Sequence, residues 1–87
     1  MTLHFPNASR AYDPGRRCIS FWGHDSTFEI TFHVEAEALR RISPQVPLDE
    51  ASLLRVFDGN RDRIERAAGS AHARHRRSHH NLSASDF

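Results

Sequence analysis

The sequence predicts an α+β domain: an antiparallel β-hairpin-based small sheet, with an N-terminal arm or edge strand, packed against a short helix and one long C-terminal helix. Three observations carry that prediction. Cys18-Ile19-Ser20-Phe21-Trp22 and Phe28-Glu29-Ile30-Thr31-Phe32-His33-Val34 each alternate with period two. Residues 35–42 place acids in the first turn and arginines in the last, the order the helix dipole favours. Residues 53–71 hold one helical register, with Leu53, Phe57, Asn60, Ile64, Ala67 and Ala71 on a single stripe flanked by Leu54, Arg61 and Ala68.

Each element follows from local chemistry. The N-terminal arm ends at Tyr12-Asp13-Pro14-Gly15, a turn in which Pro fixes φ and Gly tolerates tight geometry; Pro6 confines any strand before it to an edge. In the hairpin, a four-residue loop at residues 24–27 pairs Gly23 with Phe28, Phe21 with Ile30 and Ile19 with Phe32. Ile19, Phe21, Phe28, Ile30 and Phe32 then share the apolar face. Cys18 lies opposite His33, Ser20 opposite Thr31 and Trp22 opposite Glu29, so every pair is like with like, which a one-residue slip would destroy. Ser43-Pro44 closes the short helix, and Asp49 is the N-cap of the long one. Asp58-Gly59-Asn60 would read as a turn, yet the register passes through it, so the helix is expected to run unbroken. Gly59 then costs about 1 kcal/mol relative to Ala, which burial of Leu53, Leu54, Phe57 and Ile64 outweighs at roughly 1.5–3 kcal/mol for each large side chain. Residues 1–77 form the single domain and residues 78–87 a flexible tail.

Composition narrows the function classes. Eighty-seven residues with 38% hydrophobic content make one small domain whose core is marginal without a partner. The one cysteine, Cys18, excludes a disulfide framework; there is no apolar membrane-spanning run, and residues 1–10 lack the order of a signal peptide. These features point to a cytoplasmic protein without membrane contact. The net charge of +1 divides into −1 over residues 1–70, with nine Arg against ten acids, and +2 over residues 71–87, with Arg74, Arg76 and Arg77 against Asp86. Four of the seven histidines lie in that last segment, and there is no lysine.

The chain also resembles a known family. Phe5-Pro6-Asn7, Tyr12-Asp13, the strand with Phe21, Glu35-Ala36-Glu37-Ala38-Leu39, and above all residues 57–68 are similar to domain-of-unknown-function family 1488, short bacterial proteins. The resemblance covers residues 3–70. It implies a small α+β domain with a hairpin-based sheet and a long C-terminal helix, and no reaction, cofactor or catalytic residue. Tyr12 stands where the family usually has Trp, His33 where a small or sulfur-containing residue is expected, and the His/Arg segment extends beyond the common core.

Four constellations bear on function. On a continuing helix His72, His75 and His79 would share a face, as metal ligands can; no acidic support accompanies them and three arginines would repel a cation. Arg74, Arg76 and Arg77 with the neighbouring histidines form a basic patch able to meet phosphates, set against a near-neutral body and no reader motif. Cys18 opposite His33 brings a thiol to an imidazole without an orienting group or oxyanion donor. Asn60 and Arg61 lie on or beside the apolar stripe, where a polar residue often faces another chain. No paired carboxylates, phosphate loop or triad appears. The leading expectation is a non-enzymatic domain working through protein contacts or self-association, without cofactor, its interaction surface drawn from Asn60, Arg61, Arg74, Arg76 and Arg77. The alternative is a nucleic-acid-associated accessory protein using the Arg/His segment.

Overall fold

The computed structural model describes residues 3–87. Its elements run β1 (Leu3–His4), β2 (Arg10–Asp13), β3 (Cys18–Asp25), β4 (Phe28–Glu35), α1 (Ala36–Ile42), α2 (Glu50–Gly59), α3 (Arg61–Arg74) and β5 (His79–Leu82), closed by a 3-10 turn at Ala84–Asp86. The fold is α+β. Both β1 and β2 pair antiparallel with β3, β3 with β4 forms the hairpin, and β5 adds parallel to β4.

Alternation places the core as the sequence predicts. Ile19, Phe21, Ile30, Phe32 and Val34 face Ala38 and Leu39 of α1, Leu53 and Phe57 of α2, and Ile64 and Ala68 of α3 in one cluster. Phe21 is its hub: it stacks on Phe32 at 5.3 Å between centroids and meets Phe57 edge-on at 5.2 Å. Phe5 lies 6.0 Å from Phe21, on the line where the N-terminal segment crosses β3. That close approach favours Gly23, because a Cβ there would stand 3.0 Å from the Phe5 ring and 3.1 Å from the His4 carbonyl, tight enough to make both give way.

Three sequence expectations are corrected. The hairpin turn has two central residues, not four: Ser26 adopts a left-handed φ of 58°, so Asp25 pairs with Phe28. Phe21 consequently pairs with Phe32, Ser20 with His33 and Cys18 with Glu35. A slip of two residues keeps each side chain on its face, so the like-with-like test could not detect it. Phe28 keeps core parity, but it sits on the hairpin tip and is 71% exposed.

The long helix is interrupted at one residue. Asn60 takes φ −123° and ψ 24°, its N–H is shared between the Val56 and Phe57 carbonyls, and its side-chain Nδ2 donates to the Val56 carbonyl at 2.9 Å. A weak helix former followed by an amide that competes for a backbone carbonyl ends α2. The Asn60 carbonyl then accepts the Ile64 N–H at 3.0 Å and α3 resumes. The register holds for most of the stripe even though continuity does not: Leu53, Phe57, Ile64 and Ala71 are buried, while past the break the flanking Ala68 is buried and Ala67 only half-buried.

The segment assigned to a flexible tail, residues 78–87, carries β5 and the closing turn. His79-His80-Asn81-Leu82 alternates out and in, and Leu82 is fully buried. The Ser83 N–H donates to Asp86 Oδ2 at 2.8 Å in a capping box, and Arg74 holds Asp86 Oδ1 at 3.2 Å.

Candidate functional site

Because the buried residues of all three helices join one cluster, the opposite face of the sheet carries no helix among the described residues. Strand register orders that face into rows: His4, His24 and Glu29; then Trp22, Thr31 and His79; then Ala11, Ser20, His33 and Asn81; then Asp13, Cys18 and Glu35. Four of the seven histidines therefore lie on the uncovered side.

The third and fourth rows enclose a cleft of about 340 Å³ lined by Arg16, Arg17, Cys18, His33, Glu35 and Asn81, among others. Ser20 Oγ lies 2.8 Å from His33 Nδ1, and the same nitrogen is 3.9 Å from Cys18 Sγ. The His33 ring also stacks against His79 at 6.3 Å. The thiol and imidazole seen in the sequence do meet, but diagonally, with Ser20 holding the better bond. Burial pushes the Cys18 thiol up, with Arg16 acting against it. Burial also pulls His33 below its usual range, reinforced by Arg16 and His79. Both groups are thus held neutral, the reverse of the thiolate–imidazolium pairing an activated nucleophile uses.

A second cluster lies on the covered side. His72 of α3 is 1% exposed, with Nε2 2.9 Å from Asp25 Oδ2 and Nδ1 3.0 Å from Nε2 of His80 on β5. His72 Nε2–H donates to the Asp25 carboxylate, and His72 Nδ1 and His80 Nε2 share a single hydrogen between them, so the chain is fully bonded. The His72 bond holds the Asp25 carboxyl below the usual range. Burial does the same for His80, assisted by His72 and Arg77, while a backbone bond with Arg77 works in the opposite direction. His80 stacks on Phe32 at 5.3 Å, continuing the aromatic core to the edge strand.

The structure separates the histidines that a continuous helix would align. Helix α3 ends at Arg74, His75 is its exposed C-cap residue, and His79 lies on the uncovered sheet face while His72 is buried. Among the described residues no three His, Cys, Asp or Glu side chains gather as a metal-binding group. The expected interaction surface also divides. Asn60 is occupied at the helix break. Arg61 bonds Glu65 at 2.9 Å and the Ala8 and Asn7 carbonyls at 3.2 and 3.3 Å, while lying 5.1 Å over the Phe57 ring, so it clamps the N-terminal segment. Arg74 holds Asp86. Arg76 and Arg77 are exposed and, among the described residues, in ion-pair contact with no carboxylate. They border a cleft of about 460 Å³ shared with Asp25, Phe28, Ile30 and His72.

Asp25, His80 and Phe28 are the site residues that sequence reasoning missed. The alternation of His79 to Leu82 could have flagged His80; Asp25 carried no signal, because it bonds a helix 47 residues away.

No helix among the described residues is long and apolar enough to cross a membrane. No curated protein and no solved structure matches the chain. A family match covers residues 3–81, past residue 70 and through most of β5. This chain belongs to the family of proteins of unknown function DUF1488.

Proposed function

We propose that this domain acts non-enzymatically, through protein contacts, by pairing with a second copy of itself across the uncovered sheet face. The supporting observation is the order of that face. A two-fold axis lying in the interface and perpendicular to the strands brings the first row onto the fourth strand by strand, so His4 meets Asp13, His24 meets Cys18, Trp22 meets Ser20, Thr31 meets His33 and His79 meets Asn81, with Glu29 on Glu35 as the one like-charge pair. An isologous contact needs that kind of self-complementarity. Two eight-residue strands flanked by the shorter β1, β2 and β5, about 4.8 Å apart, give a flat footprint of about 400 Å² per protomer. That is below the roughly 800 Å² per partner of a standard interface, which suits a weak, reversible dimer. The buried free thiol of Cys18 fits a cytoplasmic setting.

Light scattering with size-exclusion chromatography, over a concentration series into the millimolar range, tests the reading. The expected result is a rise from the 10.0 kDa monomer mass toward twice that value. Trp22→Asp should hold the protein at monomer mass with unchanged far-UV circular dichroism, since Trp22 is outside the core. A strict monomer throughout, or a Trp22→Asp variant that dimerises as before, would overturn it.

A further inference from the structure

We infer that the cleft between the hairpin tip and the α3–β5 connection binds single-stranded nucleic acid, with Phe28 stacking on a base and Arg76 and Arg77 holding the flanking phosphates. Phe28 is the most exposed large apolar side chain of the described residues, at 71%, and it borders the same cleft as the two guanidinium groups. An exposed ring beside arginines that, among the described residues, form no ion pair with a carboxylate is the pairing single-strand binding uses, because every base offers a π-face and every step a phosphate. A cleft of about 460 Å³ is in the range that holds a small ligand such as a nucleotide.

The negative groups nearby are accounted for. Asp25 also lines the cleft; its Oδ2 accepts from buried His72, and the Arg76 charge helps offset its own. Glu29 lines the rim and has the opposite strand parity, sharing the uncovered face with His24. Ser26 and Ser78 add hydroxyls at the two ends, and Ile30 gives the cleft an apolar wall. A duplex fits less well, since its bases are already stacked on one another. An acidic peptide would satisfy the arginines, but it leaves the bare ring without a planar partner.

Fluorescence anisotropy with labelled oligothymidylate and oligouridylate, at low salt and over a salt series, tests the assignment. Wild type should bind both, with an affinity that falls as salt rises. Phe28→Ala should weaken binding by roughly five-fold or more, the loss expected for one stacked base. Arg76→Ala with Arg77→Ala should reduce the salt slope by about 1.4, two phosphates at roughly 0.7 each. These side chains are exposed, and unchanged thermal melting of the variants verifies the fold. Heparin and an acidic phosphopeptide serve as base-free probes, whose binding Phe28→Ala should leave unaltered. Failure of wild type to bind at low salt would overturn the inference. So would oligonucleotide binding indifferent to Phe28, or phosphopeptide binding tighter than oligonucleotide binding. Trp22→Asp lies outside the cleft and should bind as wild type, which separates this site from the dimer face.

Discussion

The two faces of the sheet use the same residue type in opposite ways. On the covered side, His72 and His80 are fixed in a bonded chain that ties the hairpin tip, α3 and β5 together through Asp25. On the uncovered side, His4, His24, His33 and His79 stand between partners: His33 bonds Ser20 and stacks on His79, and His4 pairs with His24 across the strands. The difference teaches where polar groups can carry stability in so small a domain. A buried imidazole must be fully bonded to be tolerated, and once bonded it locks the elements it joins. A half-exposed imidazole locks little and stays available to a partner.

The strongest way to break this comparison is to empty the covered side. Phe57→Ala should cost about 3–5 kcal/mol in urea unfolding, as expected for a fully buried phenyl that meets Phe21 edge-on and lies beneath the Arg61 guanidinium. Trp22→Ala, measured at dilution so that association does not contribute, should cost under about 1 kcal/mol. Equal costs would mean that the uncovered face carries structural weight denied to it here.

His72→Leu comes next. It leaves the Asp25 carboxylate and the His80 ring without their partner, and should lower stability by about 2 kcal/mol. His79→Leu on the open face should remain within about 0.5 kcal/mol of wild type.

Titration sharpens the comparison further. His80 and His33 both have folded-state pKa values lowered, burial first. The unfolded chain therefore binds more protons below roughly pH 6.5, and stability must fall as pH drops through that range toward the folded values. The urea midpoint should decline from about pH 7.5 to about pH 5.5, and His80→Gln and His33→Gln should each flatten the decline. A midpoint that rises on acidification would contradict the sign. Asp25, lowered by its His72 bond, adds a loss confined to the acid range where carboxylates titrate.

The smallest effect lies between the faces' supports. A Cβ at Gly59 meets nothing within 4 Å, and its φ is not positive. Gly59→Ala should stabilise α2 by roughly 0.5–1 kcal/mol, read as an upward shift in Tm.

Much of this architecture was legible from side-chain period, because period reports which face a residue occupies. Ile19, Phe21, Ile30, Phe32, Leu53, Phe57 and Ile64 were all assignable to the core that way. Period says nothing about an even register shift, so the turn at Ser26 and the exposure of Phe28 escaped it. It is equally blind to a single-residue break that preserves phase, which is why the interruption at Asn60 was invisible. Residues 78–87 are polar overall, and the alternation of His79 to Leu82 is short enough to be masked by two adjacent histidines. The bonded chain of Asp25, His72 and His80 depends on three elements converging, and no local pattern encodes that.

The parallel docking of β5 has a bearing on synthesis. As the chain leaves the ribosome, β4 is completed at Glu35, but the strand that covers its edge begins only at His79, after all three helices. Throughout the intervening growth β4 presents an open hydrogen-bonding edge next to Phe32 and Val34. An open edge of that kind invites another nascent chain, and a non-local parallel pairing is slow to close it. A chain truncated at Arg74 would keep that edge permanently bare. Residues 79–82 thus serve as the domain's protection against its own aggregation, and their loss should appear as inclusion bodies.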